Sequence, residues 1–129
     1  MRMAEIARLL NARSLSLPNG GGPDVQSAFA SDLMSDVLAL SRPGSLLLTG
    51  LTNPQVVRTS EVAGVAAIVF VRGKHVPPET ERLAREAGIP LVETPLTLFE
   101  ACGRLYSAGL RGCDPASYST LPAEREVQR

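Results

Sequence analysis

SLLLTGLTNPQVVRTSEVAG (45–64), VAAIVFVRGKHVPPETERLAREAG (65–88) and IPLVETPLTLFEACGRLYSAG (89–109) follow one another without a gap and share one grammar. Each opens on a short apolar run, passes through a polar loop, continues as a helical pattern and ends on glycine. The apolar runs are near-continuous instead of alternating, as expected of strands covered on both faces in a parallel sheet. Strands are therefore expected over 45–49, 66–71 and 90–93. Asn53-Pro54 and Thr94-Pro95 place a side-chain oxygen at the helix N-cap and proline at the first helical position, where its missing N–H costs nothing. Gly64, Gly88 and Gly109 stand where a left-handed residue ends each helix. Tandem strand-helix units cross over right-handedly, so the carboxyl ends of the three strands share one edge.

The helical patterns agree. Leu98, Cys102 and Leu105, joined by Phe99 and Tyr106, fall at three- and four-residue spacing on one side of the last helix, with Glu100 and Arg104 paired away from it. Leu83 and Ala87 form the inner face of the segment from Pro78, with Glu81 and Arg85 toward water. Upstream, Leu15 to Leu17 and Val25 to Ala30 read as two short strands around the turn PNGGGPD, Asp32 to Leu40 as a helix, and Met3 to Leu10 as the first helix. The expected fold is a single α/β domain over residues 1–110, a mainly parallel sheet of about five strands with helices on both faces. RGCDPASYSTLPAEREVQR (111–129) lacks apolar periodicity and is expected to be a C-terminal tail, flexible or docked on a partner.

Composition sets the outer limits. The 129 residues and 13.7 kDa suit one domain. Thirteen basic and thirteen acidic residues cancel, which removes the main driving term for general nucleic-acid or anionic-membrane binding. The longest apolar run, Val62 to Val71, is half the roughly 20 residues a bilayer-spanning helix needs. The N-terminus carries Glu5 and Arg8 within its apolar pattern and reads as an amphipathic helix, not a signal peptide, so a cytoplasmic location is expected. Cys102 and Cys113 have no zinc-ligand spacing, and His75 is the only histidine. No Walker loop, nucleophile elbow or cysteine-histidine pair is present, and no cofactor or metal is expected.

In open α/β sheets a ligand sits outside the carboxyl ends of the strands, against helix N-termini. That edge is expected to collect Thr49, Gly50, Thr52 and Asn53 from the first loop, Arg72, Gly73, Lys74 and His75 from the second, and Thr94 and Thr97 from the third. Two cations, hydroxyls and two helix N-termini suit an anionic group such as phosphate. Each has a plainer reading: Asn53, Thr94 and Thr97 as helix caps, Arg72-Gly73-Lys74 as a solvated loop, and His75 as an exposed loop residue. Asp32 and Asp36 stand four apart; Asp32 reads as a helix cap and Asp36 as a solvated residue in preference to paired acid-base carboxylates.

SDLMSDVL (31–38), AAIVFVRGK (66–74) and IPLVETPLTLFEACGRLY (89–106) resemble a DRTGG domain, with the likeness running from about Ala4 to Leu110. That family is related to the N-terminal domain of HPr kinase/phosphorylase and to a middle domain of long phosphotransacetylases. Where the family often has Gly-Asp-Arg, this chain has Gly50-Leu51-Thr52; where it has Thr-Gly-Gly, this chain has Val71-Arg72-Gly73. A ligand mode that needs that Asp or Arg does not transfer, although Arg72 and Lys74 supply charge from the second loop. The resemblance implies a non-catalytic regulatory or accessory module, a homodimer, and a signalling or metabolic enzyme partner. Beside CBS domains in regulated pyrophosphatases such modules belong to an adenine-nucleotide-sensing insert, which implies a small phosphorylated or nucleotide ligand here. The rival reading is a protein-interaction or assembly subunit with no small-molecule ligand. A third is a small enzyme using His75 with Asp32 or Asp36.

Overall fold

Along the chain the computed structural model, which describes residues 1–16 and 22–113, runs α1 (Met3–Leu9), β1 (Arg13–Ser16), β2 (Ser27–Ala30), α2 (Met34–Leu40), β3 (Ser45–Thr49), α3 (Pro54–Ala63), β4 (Ala67–Phe70), α4 (Pro78–Ala87), β5 (Leu91–Glu93) and α5 (Leu98–Ser107). The strands form one sheet in the order β1-β5-β4-β3-β2, parallel from β2 to β5, with β1 antiparallel to β5 at the edge. Every residue of β3 and β4 is buried, as the unbroken apolar runs require. Alternate side chains feed opposite faces. Leu46, Leu48, Ala67 and Val69 pack with Met3 and Ile6 of α1, the following Leu10, and Ala101 and Leu105 of α5. Leu47, Ile68, Phe70 and Leu91 pack with Val37 of α2, Val56 and Val57 of α3, and Ala84 of α4. The expected three-layer α/β domain is present, with β3 spanning the residues read for it and β4 and β5 each shorter than the range read for them.

Several local expectations are corrected. The two upstream strands do not make a hairpin: β1 and β2 lie at opposite edges of the sheet, because three strand-helix units fill the space between them. Residues 17–21, which include Leu17 and most of the anticipated turn, lie outside the described residues. Helix α5 begins at Leu98 and is capped by Thr97, not Thr94. On α5, Phe99 and Tyr106 point outward, 87% and 59% exposed, while Ala101 supplies the inner face with Leu105. Glu81 is half-buried instead of solvated. The Glu100–Arg104 pair forms at 3.2 Å on the exposed side of the helix. Within the stretch read as a tail, Ala28 of β2 donates to the Arg111 carbonyl at 3.0 Å and accepts from Cys113 N at 3.0 Å, so residues 111–113 run beside the outer edge of β2. The remainder of that stretch, residues 114–129, lies outside the described residues. Among the described residues no helix is long and apolar enough to cross a membrane.

Prolines 54 and 78 stand at the first turns of α3 and α4, and Gly64 and Gly88 close these helices with φ of 76° and 74°. A side chain at either glycine costs about 1–2 kcal/mol in the left-handed region. At Gly64 there is a further clash, since a Cβ would stand 3.2 Å from Pro43 Cβ and 3.3 Å from its Cα; at Gly88 nothing lies within 4 Å. Gly64→Ala is therefore expected to destabilise the fold more than Gly88→Ala. Urea unfolding midpoints at unchanged slope measure the difference, and equal losses would contradict this packing.

Candidate functional site

Helices α2, α3 and α4 follow β2, β3 and β4 onto one face, whereas α5 follows β5 onto the other. The crevice of an open α/β sheet therefore falls between the carboxyl ends of β4 and β5. Here the two loops close it on themselves. Arg72 N donates to the Leu96 carbonyl at 2.7 Å, and Gly73 N donates to the Thr94 carbonyl at 2.9 Å. Arg72 and Gly73 turn back through consecutive left-handed conformations, with φ of 67° and 62°. For Arg72 that geometry is strained by about 1–3 kcal/mol, held by the backbone bonds on either side.

With that crevice filled, the polar groups gather one strand over, on the buried Gly50 at the end of β3. Asp32 Oδ1 accepts from Gly50 N at 2.7 Å and from the Thr49 hydroxyl at 2.9 Å. Lys74 Nζ donates to the Gly50 carbonyl at 2.9 Å. The Arg72 guanidinium lies across the α-carbon, its Nη2 only 2.6 Å from where a Cβ would stand. Glycine is needed here for close approach, because its φ lies outside the positive range. Three charged side chains from two different loops thus converge on one residue, and both peptide groups flanking it meet charges that complement their dipoles.

The other expected site residues divide sharply. Thr94 is fully buried and donates to the Leu10 carbonyl at 2.6 Å, tying β5 to the end of α1, while accepting from Leu96 N at 3.2 Å. Thr49 is likewise buried and spends its hydroxyl on Asp32 and Leu51 N. The Thr52 carbonyl accepts from the Thr80 hydroxyl at 2.7 Å, which anchors α4. Thr97 caps α5 by accepting from Glu100 N at 3.4 Å. Asn53 occupies the N-cap position of α3 without a side-chain hydrogen bond, Pro54 brings no N–H, Val56 N donates to the Asn53 carbonyl at 3.1 Å, and the first turn has no acidic residue. By contrast, Glu79 and Glu81 occupy the first turn of α4. His75 is exposed and makes no hydrogen bond or ion pair among the described residues.

Asp32, too, stands elsewhere than the sequence pattern predicts. It does not cap α2, whose N-cap is Leu33 with no side-chain bond; it reaches across to β3 instead. Its partners are 17 and 18 residues away, beyond any local capping pattern. The Arg72 guanidinium makes no hydrogen bond or ion pair among the described residues, although the carboxylate sits on the same glycine. Among the described residues no group of three metal-ligating side chains occurs.

Away from this rim, Cys102 lines an apolar cavity of about 140 Å³ with Leu48, Leu105 and Leu110, and burial raises its thiol above the usual pKa. A raised pKa leaves less thiolate at a given pH, and the thiolate is the reacting form. In a Cys113→Ser background, alkylation of Cys102 is expected to be slower than that of a free cysteine at pH 8 and to keep rising with pH after the free thiol has levelled off. A profile superimposable on that of the free thiol would contradict it.

No family model matches the sequence, and no curated protein matches it. Among solved structures, the CBS and DRTGG domains of the regulatory region of Clostridium perfringens pyrophosphatase, complexed with the activator diadenosine tetraphosphate, are similar to this chain at a TM-score of 0.68 and 15% identity. The match covers 81% of this chain and 45% of that one, so this chain spans less than half the length of its structural neighbour. At that identity the likeness shows the fold alone: the chain shares the architecture of part of that CBS- and DRTGG-containing region.

Proposed function

We propose that this chain is a cytoplasmic, non-catalytic regulatory module that binds a small phosphorylated or adenine-nucleotide ligand at the carboxyl ends of β3 and β4 and passes the bound state to a signalling or metabolic enzyme partner. One observation carries the reading: Arg72 is held in a strained backbone conformation, with its guanidinium laid over Gly50 and no partner among the described residues. An arginine fork presents paired donors that match phosphate oxygens. Lys74 reaches the same glycine, and the acid-free N-terminus of α3 adds partial positive charge on the loop that carries Gly50. The structural neighbour supports the regulatory side of the reading, being a regulatory region complexed with an adenine-nucleotide activator.

Calorimetric titration of the folded protein with AMP, ATP, cyclic dinucleotides and orthophosphate is expected to give heat for at least one of them. Replacing both Arg72 and Lys74 by Ala is expected to weaken that binding by roughly tenfold or more, since hydrogen bonds to charged groups contribute about 1.5–3 kcal/mol each. The melting temperature should move little, because both side chains are exposed. Absence of heat for every ligand, with the protein folded, removes the reading.

The second reading, an interaction or assembly subunit without a small-molecule ligand, is favoured by the outer face of α5. Phe99, Gly103 and Tyr106 follow one another there at i, i+4 and i+7, and Phe99 is 87% exposed. A homodimer is part of the proposal, and the exposed Phe99 and Tyr106 make this face a candidate for it. Under this reading Phe99→Glu lowers the mass seen by light scattering or abolishes capture of a partner, while the Arg72/Lys74 double variant leaves both unchanged.

A further inference from the structure

Asp32 places a negative charge at a rim otherwise furnished with cations, and its surroundings show what that charge is free to do. Its Oδ1 is committed twice, to Gly50 N and to the Thr49 hydroxyl, and these two bonds fix the carboxylate in one orientation. Its Oδ2 has no partner among the described residues. A carboxylate offers about four lone-pair sites, so half of its accepting capacity remains. The residue is not spent on helix α2, and Ser31 already serves Leu33 N at 2.9 Å. Arg72 approaches the same glycine but forms no ion pair with Asp32 within 4 Å. A carboxylate with one anchored oxygen and an unpaired guanidinium therefore both stand beside Gly50 without neutralising each other.

We infer that Asp32 selects the ligand: its free Oδ2 accepts a hydrogen bond from a hydroxyl of a phosphorylated sugar or nucleotide whose phosphate is held by Arg72. This rests on the reading of the rim as a phosphate site and narrows it. A bare phosphate gains from Arg72 and Lys74 but is repelled by the Asp32 carboxylate on the same glycine, at a rim where water screens the pair only in part. A phosphate ester carrying a sugar hydroxyl offsets that repulsion with a charge-assisted hydrogen bond to the carboxylate. An acidic side chain taking ribose hydroxyls is a solution that α/β folds use at strand ends. The anchoring of Oδ1 by backbone and hydroxyl removes the ordering penalty that an exposed carboxylate otherwise carries into binding.

The test uses AMP, 2′,3′-dideoxy-AMP and orthophosphate as probes in calorimetric titrations of the full chain. The wild-type protein is expected to bind AMP roughly tenfold or more tightly than either of the other two, the range that a hydrogen bond to a charged group supports. Asp32→Asn keeps an oxygen for Gly50 N and the Thr49 hydroxyl but replaces the free acceptor with a donor. It is expected to lower AMP affinity by a similar factor and to bring the AMP and dideoxy-AMP affinities to within about twofold of each other. A melting curve reports whether the variant folds, and the three-probe comparison on the wild type decides the matter even if it does not. Equal wild-type affinity for AMP and dideoxy-AMP, or unchanged selectivity in a folded Asp32→Asn, overturns the role of Asp32 and leaves the phosphate rim standing. No heat with any of the three probes overturns the role of Asp32, and silence of ATP and cyclic dinucleotides as well overturns the phosphate rim with it.

Discussion

Burial of β3 and β4 on both faces is the constraint from which the rest follows. Leu46, Leu47, Leu48, Ile68, Val69 and Phe70 are each at most 1% exposed, and a fully buried side chain of this kind contributes about 1.5–3 kcal/mol. No polar side chain in the middle of these strands has room for a partner other than the ladder itself. Function is thereby pushed to the strand ends, and the change is abrupt: Thr49, the last residue of β3, is buried and already hydrogen-bonded to a carboxylate. The core ends and the polar rim begins within one residue.

The order in which strands are added then decides where on the rim the polar groups meet. From β2 to β5 the sheet grows in one direction, and the three connecting helices cover the same face. The only change of face, at β5, opens a crevice that Arg72 N and Gly73 N close by bonding to the neighbouring loop. Gly50 inherits the role of meeting point. Asp32 takes its N–H and Lys74 its carbonyl, which stiffens the loop before α3 and leaves the Arg72 guanidinium as the cation with no assigned partner among those three side chains. Similarity to the pyrophosphatase regulatory region is at the level of this architecture. The chemistry of the rim belongs to this chain's own residues, with Leu51 and Thr52 following Gly50 where the DRTGG pattern that the sequence resembles often has Asp and Arg.

Legibility varied with the range of the interaction concerned. Proline at the helix starts and left-handed glycine at the ends of α3 and α4 act within a few residues, and those elements lie where their patterns put them. Asp32, Thr94 and Phe99 were misread for the same reason in different guises. A threonine before proline looks like a cap until the end of α1, 84 residues earlier in the chain, proves to be its neighbour. An aspartate before a helix looks like a cap until β3 runs beside β2. Phe99 has helical spacing compatible with the inner face of α5, yet Ala101 and Leu105 take that face and pack with Met3, Ile6 and Leu10 in one cluster.

Local chemistry and apolar periodicity alone determined the sheet-forming segments, the parallel sense of β3, β4 and β5, and the edge toward which Thr49, Arg72 and Thr94 would converge. These are properties of short windows, where dihedral preference and burial pattern act on neighbouring residues. Only the tertiary structure decided which of those residues remain free. Whether a hydroxyl or a carboxylate is spent on the fold or left for a ligand depends on which carbonyl or amide the packing of distant elements brings within about 3 Å, and that distance is set by the whole sheet.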